Sequence, residues 1–304
     1  MKPRTPRSAD NPGWTLVWSD EFDGDALDTG KWDFDLGNGF FDYKSHTWVP
    51  GWGNKELQYY TCEPANLSVR DSLLSIRALK EPLHGCGYTS ARIKTRRRDG
   101  TPLFNKRYGK FEFRARVPHG KGMWPALWLL PQDDTYGGWA ASGEIDVLEI
   151  VGERPQEYLG TIHFGSTYPK RELVTHVHKF PQGGSVSDFH VYAVEWEPDQ
   201  IRWSVDGVVW ATQSFWFSCS KLRNGKGQAA RSSKDLNPWP APFDQPFYIV
   251  MNVAVGGDFP GAPNAATHFP AELVIDYVRV YDRVGGYDAP SKRGQGRLPY
   301  QKKR

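Results

Sequence analysis

The chain has little cysteine and almost no helical patterning. Three cysteines in 304 residues, Cys62, Cys86 and Cys219, are too few for a disulfide framework and match no metal-ligand spacing, so free thiols are expected, with a Cys62–Cys86 bridge as the alternative because both flank strand-patterned runs. Apolar residues rarely recur at the three- and four-residue spacing of an amphipathic helix, which argues against helical bundles and βαβ repeats. No apolar run is long enough to span a membrane, and Met1–Ser8 leads into polar residues without the apolar stretch of an export signal. Charge of one sign is also scarce. The net +3 divides into +2 over residues 1–12 and +5 over residues 284–304, which leaves −4 on the body between them and disfavours nucleic acid as a partner.

What is abundant is aromatic: 13 Trp, 14 Tyr and 16 Phe beside 31 Gly and 23 Pro, a composition suited to many strands joined by tight turns and to surfaces that stack flat ligands. Short β-patterned runs recur at Thr15–Trp18, Leu57–Tyr60, Leu73–Ala78, Ser90–Thr95, Lys110–Val117, Ala126–Leu130, Glu144–Ile150, Tyr158–Phe164, Val191–Trp196, Ile201–Val205, Tyr248–Val255 and Leu273–Tyr281. Asp206-Gly207, with alternation on both sides, predicts a two-residue hairpin turn. The pattern is that of an all-β antiparallel sandwich or barrel. No repeat or change of composition divides residues 13–283, so the expectation is a polar segment 1–12, one domain 13–283, and a basic, disordered tail 284–304. Residues 218–243 form one long polar connection, and Arg96, Arg97 and Arg98 read as a solvated loop.

One run stands apart. Gly143-Glu-Ile-Asp-Val-Leu-Glu-Ile150 places three carboxylates in an otherwise apolar strand, where each desolvated acid must shift its pKa or find a partner. Alternation puts Glu144 and Asp146 on one face and Glu149 on the other; a β-bulge at Val147–Leu148 would return Glu149 to the first two. Paired carboxylates with separated pKa values are the equipment of glycoside hydrolysis. With the bulge discounted, the two glutamate Cα atoms are roughly 13 Å apart along the strand, so their side chains must lean together to reach the roughly 5–5.5 Å of a retaining pair.

This run resembles the active-site strand of family 16 glycoside hydrolases, in the bulged form of laminarinases, the endo-β-1,3-glucanases. Further segments agree in order: Trp18-Ser-Asp-Glu-Phe-Asp-Gly24, Gly51-Trp-Gly-Asn-Lys-Glu-Leu-Gln-Tyr-Tyr-Thr61, Gly122-Met-Trp-Pro-Ala-Leu-Trp-Leu-Leu-Pro131, Gly160-Thr-Ile-His-Phe-Gly165, Phe189-His-Val-Tyr-Ala-Val-Glu-Trp196, Pro246-Phe-Tyr-Ile-Val-Met-Asn252 and Ile275-Asp-Tyr-Val-Arg-Val-Tyr281. The resemblance implies a β-jelly-roll sandwich with a concave substrate cleft. It implies Glu144 as nucleophile, Glu149 as acid/base and Asp146 between them. It suggests Trp124, Trp128 and Trp139 as stacking platforms, Asn54, Glu56 and Arg92 as contacts to sugar hydroxyls, and His163 as a neighbour of the acid/base. Catalysis would need no cofactor. A structural calcium would sit at Glu21 and Asp276, away from the cleft. The implied partner is a polysaccharide, without nucleic acid or membrane, the protein is expected to be a monomer, and the substrate suggests work outside the cell or at its envelope. The linkage stays open among β-glucans and galactans. A non-catalytic glucan-binding protein is disfavoured because both glutamates are present.

Overall fold

The computed structural model describes residues 12–42, 45–219 and 233–291. Two antiparallel sheets face each other as a β-jelly-roll sandwich. The sheet that carries the acidic strand has seven strands in the order Arg171–Lys179, Glu157–Gly165, Glu144–Glu149, Met123–Pro131, Phe247–Val255, Arg92–Lys94 and Asp33–Asp35. Its partner runs Val208–Gln213, Gln200–Val205, His190–Glu197, Gly109–Arg116, Ala271–Arg283, Leu73–Ala78 and Leu67–Arg70, and Trp14–Asp20 pairs with the far half of the long Ala271–Arg283 strand. Each of the twelve predicted runs falls on a strand. Two small pairs lie outside the main sheets, the hairpin Gly39–Asp42 with Thr47–Pro50 and the parallel pair Gln58–Tyr60 with Tyr88–Ser90.

Strand alternation builds the core. On the acidic sheet Ile145, Leu127, Leu129, Ile249, Met251, Val253, Ile93 and Ile162 point inward, against Phe111, Phe113, Val194, Trp196, Trp203 and Val278 of the other sheet, all buried. The hairpin forms as predicted, with Val205 paired to Val208 and positive φ at Asp206 and Gly207. Asp206 also accepts from the backbone N–H of Val191, which ties the turn to the neighbouring strand.

Two boundary expectations change. Residues 220–232 of the long connection lie outside the described residues, but its end is built into the core: Trp239 stacks on Trp216 with centroids 4.6 Å apart, and Ala241 and Phe243 are buried. Residues 1–11 and 292–304, most of the predicted polar ends, also lie outside the described residues, whereas the start of the predicted tail is docked. Tyr287 packs 5.4 Å from Tyr108 and donates to Asp282, and the Ser291 N–H donates to Asp199. A chain ending at Arg283 is therefore expected to be less stable than one ending at Ser291 by about 1 kcal/mol, a shift of a few degrees. Equal melting temperatures would show that this segment contributes nothing.

Candidate active site

The bulge is where the sequence requires it. Asp146 pairs with Thr161 and Glu149 with Leu159, so that Val147 and Leu148 stand opposite Gly160 alone and the register shifts by one between the two acids. Val147 and Leu148 are both buried, and Glu144, Asp146 and Glu149 share the face turned away from the core. Trp203 of the opposite sheet pins this distortion. Its indole N–H donates to the Asp146 carbonyl at 2.8 Å, and its ring occupies the space above Gly160, where a Cβ would come within 2.5 Å of it. Gly160 is thus required by close approach.

Each glutamate is held by its own tryptophan. Trp139 donates to Glu144 Oε2 at 2.8 Å, and Trp124 donates to Glu149 Oε1 at 3.0 Å. His163 sits between the acids, its Nε2 3.5 Å from Glu144 Oε1 and 3.4 Å from Asp146 Oδ2. Asp146 is 2% exposed and its Oδ2 accepts no hydrogen bond.

Three carboxyls on one buried surface cannot all ionise. Burial first, then the charges of Asp146 and Glu149, push Glu144 up to about 8. Burial and Glu149 raise Asp146 well above the usual carboxylate range. Burial raises Glu149 too, against the pull of His163, the Trp124 N–H, Thr161 and Arg171. Asp146, the most buried and without a donor on Oδ2, keeps its proton. Once Asp146 and Glu149 are neutral, the coulombic push on Glu144 is gone, and the Trp139 N–H and His163 favour its anion. The cluster can therefore present one ionised and one protonated glutamate at the same time.

To one side of these acids the cleft is dense with polar contacts. The Arg92 guanidinium lies 4.6 Å from the Trp52 ring and 4.8 Å from the Trp128 ring, and pairs with Asp35 at 2.9 Å. Trp128 donates to Asn252, Asn252 to the Tyr60 hydroxyl, and Tyr60 to Glu56, which also accepts from Asn54 and Gln58. Burial raises Glu56 above its ordinary pKa.

The predicted catalytic and sugar-contacting residues thus gather on one face. Trp124 and Trp139 orient the two glutamates by hydrogen bonds, and Trp128 is half-buried on the cleft side rather than in the core. The sequence pattern does not single out Asn252, Tyr60, Trp52 or Trp203 as site residues. Asn252 carries a usable signal, a lone polar side chain inside the buried apolar run Phe247–Val255.

The two expected calcium ligands are each engaged by an arginine. Glu21 is held by Arg279 through two hydrogen bonds of 2.9 Å, and Asp276 pairs with Arg114. With each carboxylate neutralised by a guanidinium, these residues do not fit a cation. Among the described residues, the only cluster with metal-ligand spacing is Glu144, Asp146 and His163, inside the catalytic group itself. All three cysteines are free, as expected.

A jelly-roll cleft with two separately held glutamates on a bulged strand defines a carbohydrate-cleaving enzyme, a glycoside hydrolase. Residues 52–214 match the family described as Glycosyl hydrolases family 16, and the chain belongs to that family. It is 43% identical over 286 residues to the "Beta-glucanase" of Rhodothermus marinus, covering 90% of this chain and 87% of that protein. It is 42% identical over 289 residues to "Glucan endo-1,3-beta-glucosidase A1" of Niallia circulans, covering 91% of this chain but only 39% of that longer protein. The laminarinase catalytic domain of Thermotoga maritima has a similar structure, with a TM-score of 0.72 at 36% identity, covering 91% of this chain and all of that one.

Proposed function

We propose that the chain is a retaining endo-hydrolase of β-1,3-glucan. The observation that carries the reading is the bulge, which brings Glu149 back to the face of Glu144 and leaves each with its own indole donor. Ionised Glu144 attacks the anomeric carbon while protonated Glu149 gives its proton to the departing glycosidic oxygen, forming a glycosyl-enzyme ester on Glu144. Glu144 is then neutral, so the charge opposing ionisation of Glu149 has gone, and Glu149 takes a proton from the water that hydrolyses the ester. Asp146 lies between the two, where its protonated carboxyl can steady the Glu144 anion. His163 supports the same anion.

The dense side of the cleft suits the sugar under attack, because binding energy spent there distorts and positions the reacting ring. The β-1,3 linkage is supported by the names of the relatives and structural neighbours above. Release of reducing ends from laminarin, lichenan, agarose and xyloglucan tests the reading. Laminarin is expected to give the highest turnover, and turnover of lichenan or agarose without laminarin would overturn it.

A further inference from the structure

Strand pairing carries the catalytic face outward in rows, on the side opposite Arg92. Glu144 faces His163, which faces Leu173; Asp146 faces Thr161, which faces Thr175; Glu149 faces Leu159, which faces Val177. Because alternate residues share a face, Arg171, Leu173, Thr175 and Val177 of the edge strand all lie on the cleft surface. Leu173 and Val177 are 42% and 47% exposed. This floor has none of the polar network that surrounds Arg92.

Its charged groups stand at the two ends, Lys179 opposite Glu157 at the far end and Arg171 in register with Gly165 at the Glu144 end of the row. The guanidinium carbon lies 5.2 Å from the centroid of Trp139, the ring that donates to Glu144. Tyr168, 67% exposed, extends the same aromatic wall with its ring 6.2 Å from Trp139. Arg171 Nε is buried and has no hydrogen-bond partner. A buried cationic donor left unpaired is costly, and the cost is relieved when a ligand brings an oxygen to it.

We propose that Arg171 is the polar anchor of a leaving-group subsite, donating to hydroxyl oxygens of the glucosyl units beyond the scissile bond while Leu173, Thr175 and Val177 form the floor beneath them. The inference rests on the hydrolysis of β-1,3-glucan proposed above. The occupant follows from continuity, since the row starts at the catalytic carboxylates and leads away from the side that holds the attacked sugar. A guanidinium, planar and with several fixed donors, suits adjacent hydroxyls, and the half-exposed aliphatic floor suits the flat faces of sugar rings.

Two substrates separate this role from mere support of Trp139. Laminarin places glucosyl units on the Arg171 side, whereas an aryl β-laminaribioside with an activated phenol places none there. Arg171→Met keeps an aliphatic stem against Trp139 and removes the donors. The expected result is a fall in kcat/KM on laminarin at least about tenfold greater than the fall on the aryl glycoside. Transglycosylation to laminaribiose, whose acceptor must occupy the same subsite, falls in parallel. Arg171→Lys, which keeps a charged donor, is expected to recover part of the laminarin loss. Equal losses on both substrates would mean that Arg171 acts only through Trp139 and would overturn the proposal. If Arg171→Met does not fold, Leu173→Ser with Val177→Ser reads the same ratio with the same two outcomes. A wild-type enzyme inactive on laminarin refutes the proposed function instead, and the ratio is then measured on whichever β-glucan it does cleave.

Discussion

Glu144→Gln is expected to be more thermostable than the wild type at pH 8 while losing its turnover. Burial first, and then the charges of Asp146 and Glu149, push Glu144 up to about 8 against an ordinary value of 4.5, and the other two acids are raised as well, so the three carboxyls together hold a proton that exposed ones would release. Between those values the native state keeps a proton that the unfolded chain releases, so stability falls as pH rises. That contribution is fully present below about pH 4.5 and lost above about pH 8. Glutamine does not titrate and removes the slope. The gain at pH 8 is on the order of 1–3 kcal/mol, less than the full shift implies because Asp146 and Glu149 share the proton inventory. Near pH 4.5 the two proteins are expected to melt alike. Paired thermal melts across this range check the claim, and a variant no more stable than wild type at pH 8 would refute the electrostatic account of the cluster.

The second large effect divides the two glutamates by substrate. Glu149→Ala removes the proton donor, so laminarin turnover is expected to fall by about 10²–10⁴-fold. Formation of the glycosyl-enzyme from an activated aryl glycoside, whose phenol leaves without protonation, is expected to survive, with its hydrolysis becoming the slow step and a burst of phenol preceding it. Glu144→Ala leaves no nucleophile for either substrate and produces no burst. A burst in Glu144→Ala and none in Glu149→Ala would exchange the assigned roles.

Most of the fold was legible because its strands alternate in the ordinary way, apolar inward. The edge strand Arg171–Lys179 was missed because it inverts that pattern. Leu173 and Val177 face the cleft, while His176 and His178 turn toward aromatic partners, His176 5.6 Å from Trp203 and His178 5.3 Å from Trp210. Segments as short as Asp33–Asp35 carry no period to detect.

At the site, the three acids announced themselves by their cost in an apolar strand, and the need for a bulge followed from parity alone. The partners of those acids did not. That Trp139 and Trp124 present their N–H groups to separate glutamates, and that Trp203 reaches across the sandwich to the Asp146 carbonyl, are facts of three-dimensional approach between residues 5, 25 and 57 positions apart. Glu21 and Asp276 show the converse. Their positions in the sequence resembled a cation site, yet Arg279 and Arg114, brought close by the strand pairing, supply the countercharge.

The account's central claim is that Glu144 attacks the sugar and Glu149 moves the proton. The stereochemistry of azide rescue tests it most directly, because the small anion takes the place of whichever carboxylate is missing. With an activated glycoside, NMR of the product is expected to show a β-glycosyl azide from Glu149→Ala, where azide displaces the ester from Glu144 with overall retention, and an α-glycosyl azide from Glu144→Ala, where azide attacks once with inversion. An α product from Glu149→Ala and a β product from Glu144→Ala would contradict it.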